Sequence, residues 1–292
     1  MALELMYITN DPVVARIAED AGVDDVFLDM EYIGKQKRQG GMNTVQLHHT
    51  LEDVRRMRAT LRSAKLLVRV NPIHEAGEEN GRIFGSSEAE IGGAIEAGAD
   101  ILMLPYFKTA EEVRRFVGSV DGRAVTFPLL ETPEAVCRLE EILEIPGIDR
   151  IHIGLNDLSL AKKSGFMFGL LVDGTVESIA DVCKTHGIPF GFGGIAALGE
   201  GLLPAEYILA EHCRLGSRFV ILSRSFCDTE KVKDPEKVRE IFQKGICGIR
   251  MLEEEMQRRL ENGDAAFFEE NRIKVREGVE KVRLLQNAKK TR

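Results

Sequence analysis

Short apolar runs rich in β-branched residues alternate along this chain with amphipathic segments, and the alternation repeats eight times. The amphipathic segments predict helices at residues 12–21, 51–63, 88–97, 109–117, 133–143, 176–186 and 204–215. The apolar runs have the length and composition of buried strands and occupy residues 4–8, 25–29, 65–71, 100–105, 124–130, 150–154, 188–193 and 218–223. Strands that are apolar at nearly every position are typical of a parallel sheet covered by helices. The pattern therefore predicts an α/β fold.

No linker rich in Gly, Pro or Ser interrupts the eight units. A single (β/α)8 TIM barrel over residues 1–232 is therefore the favoured architecture. The alternative is an open doubly wound sheet, which would carry a glycine-rich phosphate-binding turn after its first strand. Residues 8–12 contain no glycine, so we favour the barrel.

The helix starts and the end of the chain carry further signals. Asp11 before Pro12, and Thr132 before Pro133, are expected to cap the helices that follow them. Residues 233–292 form a long charged helical tail whose apolar positions recur at spacings of three and four. We expect this extension to pack on the barrel or on a neighbouring subunit.

Composition and charge narrow the class of protein. Hydrophobic residues make up 44% and charged residues 29% of the 292 residues, which is typical of a globular enzyme. The net charge of −8 disfavours nucleic acid and anionic lipid as partners. No apolar run approaches the roughly 18 residues of a membrane span, and residues 1–10 do not resemble a secretory signal. We expect a cytoplasmic enzyme whose five widely spaced cysteines form no disulfide framework.

Polar residues at predicted strand ends are the candidates for chemistry, because a TIM barrel carries its active groups at the carboxyl ends of its strands. Glu131 and Asp157 follow neighbouring strands, and two carboxylates there suit one hard divalent cation. Arg69 lies inside an apolar strand, where an unpaired charge is costly, and its guanidinium suits a substrate carboxylate. Glu131 and Asp157 also precede predicted helices, so capping of those helices is the alternative role for each.

Five segments together carry a resemblance to a known family, in a matching order and spacing. They read Phe27-Leu28-Asp29-Met30-Glu31, Val68-Arg69-Val70, Ala97-Gly98-Ala99-Asp100 running on to Pro105, Leu129-Leu130-Glu131-Thr132, and Pro146-Gly147-Ile148-Asp149 running on to Gly154-Leu155-Asn156-Asp157-Leu158-Ser159. The chain resembles the HpcH/HpaI aldolase and citrate lyase family over about residues 1–228. These are metal-dependent class II 2-oxo-acid aldolases of the pyruvate/phosphoenolpyruvate superfamily.

The resemblance implies a role for each matching residue. Glu131 and Asp157 would bind Mg2+ or Mn2+, with Co2+ or Zn2+ as alternatives, and Arg69 would bind a pyruvate-like 2-oxo acid. The turn through Gly154 and Asn156 would meet the substrate carboxylate through its backbone N–H groups. Three acidic positions, Asp29, Glu31 and Glu96, would support the site. The family also implies a homo-oligomer, a hexamer or trimer of dimers, with exchanged C-terminal helices.

The chain departs from the family after the second strand. Members commonly carry a histidine after the Asp-x-Glu segment, and here Tyr32 stands in its place. The pKa of an unperturbed tyrosine is near 10, which makes it a poor base at neutral pH. Three replacements for the base remain open: His48 or His49, a hydroxide on the metal, and Tyr32 itself.

Three further groups are candidates for binding an anionic or sugar-derived substrate. Lys35, with Lys37 and Arg38, follows the second strand and either meets the far end of the substrate or is a solvated loop. Gly193 and Gly194 are predicted to follow the seventh strand, where backbone N–H groups can approach an anion or simply form a tight turn. Arg224 follows the eighth strand, where many barrels bind phosphate.

The sequence therefore predicts a metal-dependent carbon–carbon lyase. It would cleave or form a 4-hydroxy-2-oxo acid, with pyruvate or a related 2-oxo acid and an aldehyde as the small-molecule partners. One alternative is a citrate-lyase-like or other enolate-forming enzyme of the same superfamily. Another is a catalytically impaired barrel that acts as a binding protein, which the tyrosine at position 32 motivates.

Overall fold

Eight parallel strands form a closed barrel in a computed structural model that describes residues 2–34, 49–79 and 81–290. The barrel strands are β1 (Glu4–Ile8), β2 (Asp25–Asp29), β3 (Lys65–Arg69), β6 (Ile101–Leu104), β7 (Val125–Leu130), β8 (Ile151–Ile153), β9 (Phe190–Ile195) and β10 (Phe219–Leu222). Each strand pairs with its neighbours in chain order, and β10 closes on β1. The predicted (β/α)8 barrel is confirmed, and the open doubly wound sheet is excluded.

The strand register brings the two polar ends of β2 and β3 together. Asp29 lies opposite Arg69 in the parallel pairing of these strands. Residues in register on neighbouring strands face the same side of the sheet, so these two side chains can meet. This pairing positions the core of the candidate site.

Helices connect the barrel strands. In chain order they are α1 (Pro12–Asp20), α2 (Leu51–Thr60), α3 (Ser87–Glu96), α4 (Ala110–Val120), α5 (Pro133–Val136), α6 (Leu139–Leu143), α7 (Leu155–Ala161), α8 (Gly169–Val172), α9 (Thr175–Thr185), α10 (Ala205–Leu215), α11 (Pro235–Glu261) and α12 (Ala265–Lys290). The predicted capping roles are confirmed: Asp11 accepts from Val13 N in α1, and Thr132 accepts from Ala135 N in α5. No helix in the described ranges combines the length and apolar character that crossing a bilayer requires.

Two differences from the predicted elements occur on the side of the barrel that carries the site. A small antiparallel hairpin of β4 (Gly77–Glu79) and β5 (Arg82–Phe84) extends the connection after β3. The short helices α7 and α8 fill the connection after β8. Neither feature has the length and periodicity of a full strand-and-helix unit, so the eightfold sequence pattern does not predict either of them.

Large apolar side chains fill the interior of the barrel, which is a packed core and not a pore. They are Met6, Phe27, Leu67, Ile101, Met103, Phe127, Leu129 and Phe219. Arg150, whose guanidinium lies 4.7 Å from the Phe127 ring and 4.8 Å from the Phe219 ring, adds a buried charge to this interior. Its partners are Glu4 at 2.9 Å and Asp25 at 3.6 Å.

The C-terminal helices α11 and α12 pack on the barrel of the same chain. Helix α11 contacts α1 and α10, and α12 contacts α10 and α8. Of the apolar positions that the sequence singled out in the tail, Met256, Val275, Val279 and Val282 are buried. Others, such as Met251 and Leu260, are exposed. Contact of the tail with a neighbouring subunit stays a prediction.

Candidate active site

The guanidinium of Arg69 at the end of β3 is held by two acids from the end of β2. Its Nε donates to Asp29 Oδ1 at 2.8 Å, and its Nη2 donates to Asp29 Oδ2 at 2.7 Å. Glu31 Oε2 lies 3.5 Å from the same Nε. Burial alone would lower the pKa of Arg69, but the charges of Asp29 and Glu31 outweigh it and raise the pKa well above its ordinary value. The cation is therefore permanent.

This pairing leaves part of the guanidinium for a ligand. An arginine carries five N–H donors in a planar fork, and Asp29 occupies the edge formed by Nε and Nη2. The side chain of Arg69 is 15% exposed, so it is accessible while its orientation is fixed. Nη1 lies outside the pair with Asp29, and substrate binding by Arg69 stays a prediction.

Glu131, directly after β7, is a buried carboxylate in the same region. Its Oε1 accepts a hydrogen bond from the backbone N–H of Tyr106 at 3.0 Å. Tyr106 adopts a left-handed backbone with φ of 51°, which is unfavourable for a side chain of its size. Thr132, and not Glu131, caps helix α5. The capping alternative for Glu131 is therefore excluded.

Glu131, Asp157 and Arg69 interact electrostatically. Burial raises the pKa of Glu131 well above its ordinary value, and the carboxylates of Asp157 and Glu31 raise it further, against the opposing charge of Arg69. The ends of several strands thus bring these acidic side chains and one guanidinium to the same mouth of the barrel. A buried acid that faces other carboxylates is stabilised in its ionised form by a cation.

The donor set fits a hard divalent cation. Glu131 and Asp157 offer oxygen ligands only, the type that Mg2+ and Mn2+ prefer, and such ions commonly keep water molecules in their shell. Across the described ranges, no cluster of three or more His, Cys, Asp or Glu residues meets the geometry of a complete metal site. Two protein carboxylates with water and substrate oxygens are the arrangement that these residues suit.

A tight turn after β8 lies beside Glu131 and leads to Asp157. Gly154 directly follows β8, and a methyl group there would lie 2.7 Å from Glu131 Cβ and 2.9 Å from its Oε2. The chain then enters α7, in whose first turn Asn156 is exposed and Asp157 half-buried. Asp157 therefore also lies where a negative charge stabilises a helix. The substrate-binding roles of Gly154 and Asn156 stay predictions.

Two of the groups predicted to replace the usual base, Tyr32 and His49, lie within the described residues. Tyr32 directly follows Glu31, and its ring lies 6.3 Å from that of Phe84 in the hairpin. His49 lies just before α2, with Nδ1 3.9 Å from Asp53 Oδ2. His48, Lys35, Lys37 and Arg38 lie outside the described residues.

The predicted anion-binding glycines lie within strand β9 and do not follow it, because this strand extends two residues beyond its predicted end. A side chain at Gly193 would meet Leu155 Cδ1 at 2.8 Å, and one at Gly194 would meet the backbone oxygen of Ile221 at 3.1 Å. Packing therefore explains both glycines. Arg224 is exposed after β10, and its role stays a prediction.

Glu96 is the last residue of α3 and is exposed. Because barrel helices run antiparallel to the strands, this position faces the end of the barrel away from the site, so its predicted supporting role is wrong. His152 is buried in the barrel with Nε2 3.2 Å from the backbone oxygen of Gly193. Burial lowers its pKa to about 4.

Two residues of the site region were missed at the level of sequence. Asn71 follows the end of β3, and Glu90 lies in the first turn of α3, six residues before Glu96. Their side chains are joined by a hydrogen bond of 2.8 Å. The sequence signal for Asn71 is a polar residue at the end of an apolar strand. Glu90 is one of several charged residues at the start of a helix, and nothing in the sequence distinguishes it from the others.

A comparison of this sequence with known protein families identifies a family to which the chain belongs. A family profile described as HpcH/HpaI aldolase/citrate lyase matches residues 5–188, from the second residue of β1 to beyond β8. The chain belongs to this family. No curated protein sequence matches the chain.

Solved structures of HpcH/HpaI proteins share the fold. An HpcH/HpaI aldolase from Desulfitobacterium hafniense DCB-2 has a TM-score of 0.58 and 16% identity, and the match covers 82% of this chain and 93% of that one. A family protein from Burkholderia cenocepacia J2315 gives the same TM-score and identity, with 81% and 94% covered. The citrate synthase SbnG has a TM-score of 0.59 at 16% identity, with 82% and 94% covered. These structures show that the fold is shared, and the family description itself covers both aldolases and citrate lyases.

Proposed function

We propose that this protein is a divalent-metal-dependent carbon–carbon lyase acting on a 4-hydroxy-2-oxo acid. Pyruvate or a related 2-oxo acid would be one product and an aldehyde the other. The observation that supports this most directly is the meeting of Arg69 with Glu131 and Asp157 at the carboxyl ends of three strands. Membership of the aldolase/citrate lyase family supports the same class of reaction.

Glu131 and Asp157 would hold the metal ion, with Mg2+ or Mn2+ favoured over Co2+ or Zn2+. When bound, such an ion supplies Lewis-acid polarisation of the 2-oxo group, which eases enolate formation. The raised pKa of Glu131, caused by burial and by the neighbouring carboxylates, fits this role, because a cation there relieves the unfavourable charge.

Arg69 binds the 2-oxo acid and stabilises negative charge on its oxygen during cleavage. The pairing with Asp29 fixes the plane of the guanidinium before the substrate arrives, so no reorganisation is needed when charge develops. Glu31 places a second carboxylate 3.5 Å from Nε, and its charge further stabilises the guanidinium. Binding and orientation are thus supplied by the protein itself.

The proton of the C4 hydroxyl must leave as the carbon–carbon bond breaks. We assign this step to Tyr32 in its ionised form, because a neutral phenol is a poor base. Tyr32 occupies the position after Glu31 where related aldolases commonly carry histidine. His49 is the second candidate, and its place beside Asp53 at the start of α2 favours a structural role. The same tyrosine would return the proton to the aldehyde oxygen in the direction of synthesis.

Exchange of the methyl protons of pyruvate in deuterated buffer tests the proposal without knowledge of the aldehyde. The protein is incubated with pyruvate and Mn2+, the metal is chelated, and the deuterium content is measured by mass spectrometry. We expect exchange that requires both protein and metal. No exchange above the metal-only rate with Mg2+, Mn2+, Co2+ or Zn2+ would remove the aldolase proposal and favour a binding protein that has lost catalysis.

A second candidate is cleavage or formation of a citrate-like acid by the same machinery. The family description includes citrate lyases, and a carboxylate bound by Arg69 next to a cation suits any enolisable 2-oxo or carboxylic acid. Failure of pyruvate exchange together with exchange of oxaloacetate methylene protons would favour this candidate.

A further inference from the structure

The side chain of Asn71 connects the loop after β2 to helix α3. It is buried, with 3% of its surface exposed. Its Oδ1 accepts hydrogen bonds from the backbone N–H groups of Tyr32 at 2.8 Å and Ile33 at 2.9 Å. Its Nδ2 donates to Glu90 Oε1 at 2.8 Å and, at the longer distance of 3.5 Å, to the backbone oxygen of Met30. The amide oxygen therefore binds the loop, and the shortest bond of the NH2 group goes to α3.

Glu90 determines which way the Asn71 amide faces. An ionised carboxylate only accepts hydrogen bonds, so the NH2 end of Asn71 must point to Glu90 and the oxygen must point to the loop. The backbone N–H of Asn71 lies 3.3 Å from both carboxylate oxygens of Glu90, and Glu90 Oε2 lies 3.9 Å from His74 Nε2. Glu90 is itself fixed on these partners, with 12% of its side chain exposed.

This connection acts on the backbone that carries Glu31. The N–H of Glu31 donates to Asp29 Oδ1 at 3.1 Å, and the next two N–H groups donate to Asn71. Three successive backbone N–H groups are thus bound by the side chains of Asp29 and Asn71. Asp29 pairs with Arg69, and Asn71 lies two residues after it. The position of the Glu31 carboxylate, 3.5 Å from Arg69 Nε, follows from this backbone path.

We propose that Asn71, anchored by Glu90, is a positioning residue that keeps Glu31 and Tyr32 aligned with Arg69. Asn71 does not touch the substrate in this proposal. It acts through the loop, and its catalytic consequence rests on the proposed lyase function. Other contacts also reach this loop, including the bond from Gly34 N to Glu79 Oε2 at 3.2 Å, but that contact lies beyond Tyr32.

An exchange of amide and carboxylate between the two positions tests the proposal. N71D places two carboxylates face to face and removes the donor to Glu90. The double variant N71D/E90Q restores a donor, now at position 90, while the carboxylate at position 71 can still accept from the amides of Tyr32 and Ile33. E90Q alone keeps an acceptor opposite Asn71 and is the matched single control. Asn71→Ala replaces N71D if the charged variant does not fold.

Hydrogen exchange at the Tyr32 and Ile33 amides is the first measurement, with folding checked by circular dichroism. We expect about tenfold faster exchange or more in N71D, the factor that corresponds to one lost hydrogen bond, and rates within about threefold of wild type in E90Q and N71D/E90Q. Unchanged protection in a folded N71D, or a double variant no better than N71D, would overturn the proposal.

Pyruvate proton exchange is the second measurement. It distinguishes a role of Asn71 in aligning the site from a role in holding the loop alone. We expect N71D to lower the turnover number about tenfold or more, with a smaller change in the KM for pyruvate, and N71D/E90Q to recover most of it. Equal turnover in N71D and wild type would overturn the positioning role. Wild-type protein without any exchange would remove the lyase function and the catalytic role of Asn71 together, while the amide rates still decide whether Asn71 holds the loop.

Discussion

Asp29 occupies one whole edge of the Arg69 guanidinium, through the 2.8 Å bond to Nε and the 2.7 Å bond to Nη2. The two residues lie in register on neighbouring strands, so the pairing is built into the barrel and not into a loop. An arginine held in this way presents a fixed plane of donors to a ligand.

Asp29→Asn is expected to lower kcat/KM for pyruvate proton exchange about 10- to 100-fold. Asparagine keeps an acceptor for one of the two bonds but loses the charge and the second acceptor, so the guanidinium can turn. Steady-state kinetics measure the loss. Asp20→Asn, at an exposed position of α1, is the control and is expected to behave as wild type. Equal kinetics in both variants would show that the pairing does not orient Arg69 for the reaction.

Gly154→Ala is expected to weaken divalent-metal binding in a folded protein. The added methyl group would lie 2.7 Å from Glu131 Cβ, closer than side chains tolerate, so the Glu131 carboxylate must move. Calorimetric titration with Mn2+ measures the effect, expected to be about tenfold or more in Kd. Gly118→Ala in α4 is the control, because no atom lies within 4 Å of the added group. Wild-type affinity in Gly154→Ala would contradict the placement of Glu131 at the metal.

Asp25, at the buried base of the barrel, is expected to make stability depend on pH. Burial raises its pKa from 3.8 to about 7, although the charge of Arg150 opposes the shift. The charges of Lys65, Glu4 and Asp24 also act on it. The folded-state pKa is above the unfolded one, so the contribution of Asp25 to stability is fully present below about pH 4 and is lost as the pH rises through about 7.

Asp25→Asn tests whether the contribution of Asp25 to stability falls as the pH rises. Between about pH 4 and 7, one proton leaves on unfolding of the wild type, which lowers the free energy of unfolding by about 1.4 kcal/mol per pH unit. The variant lacks this contribution, so its stability relative to wild type should rise with pH over that window. Urea unfolding at several pH values measures the difference. A difference that is constant from pH 4 to 7 would contradict the buried, protonated Asp25.

Tyr32→Phe is expected to slow carbon–carbon bond cleavage about 100-fold, within the range of general acid–base catalysis. Exchange of pyruvate protons should change far less, because that reaction involves no aldehyde oxygen. His49→Ala, made in parallel, is expected to retain cleavage. A coupled assay of pyruvate release from a 4-hydroxy-2-oxo acid measures both. Loss of cleavage in His49→Ala alone would transfer the role to histidine.

The barrel was predictable because each of its eight units repeats one pattern of buried strand and amphipathic helix. The strand bounds differ from the prediction by two residues at most, as at Lys65–Arg69 and Phe190–Ile195. The break between α5 and α6 and the hairpin β4–β5 were not predicted, since each is shorter than one period of the pattern. The barrel follows from the local pattern of hydrophobic residues. The insertions depend on contacts between distant residues, which that repeating pattern does not show.

The candidate site was predictable only in part. Arg69 stood out because a charge within an apolar strand needs a partner, and strand ends pointed to Glu131 and Asp157. Asn71 and Glu90 escaped notice because their importance lies in a hydrogen bond between residues 19 positions apart. The prediction for Glu96 failed because similarity of sequence does not tell which turn of α3 faces the site.

Calorimetric titration of Mn2+ into wild type, Glu131→Gln and Asp157→Asn tests the central claim most directly. Glu134→Gln, whose exposed side chain pairs with Lys108 outside the site, is the control. We predict a single binding event in wild type and Glu134→Gln, and its loss in both folded site variants. Unchanged Mn2+ affinity in Glu131→Gln and Asp157→Asn would contradict the claim that these two carboxylates hold the metal beside Arg69.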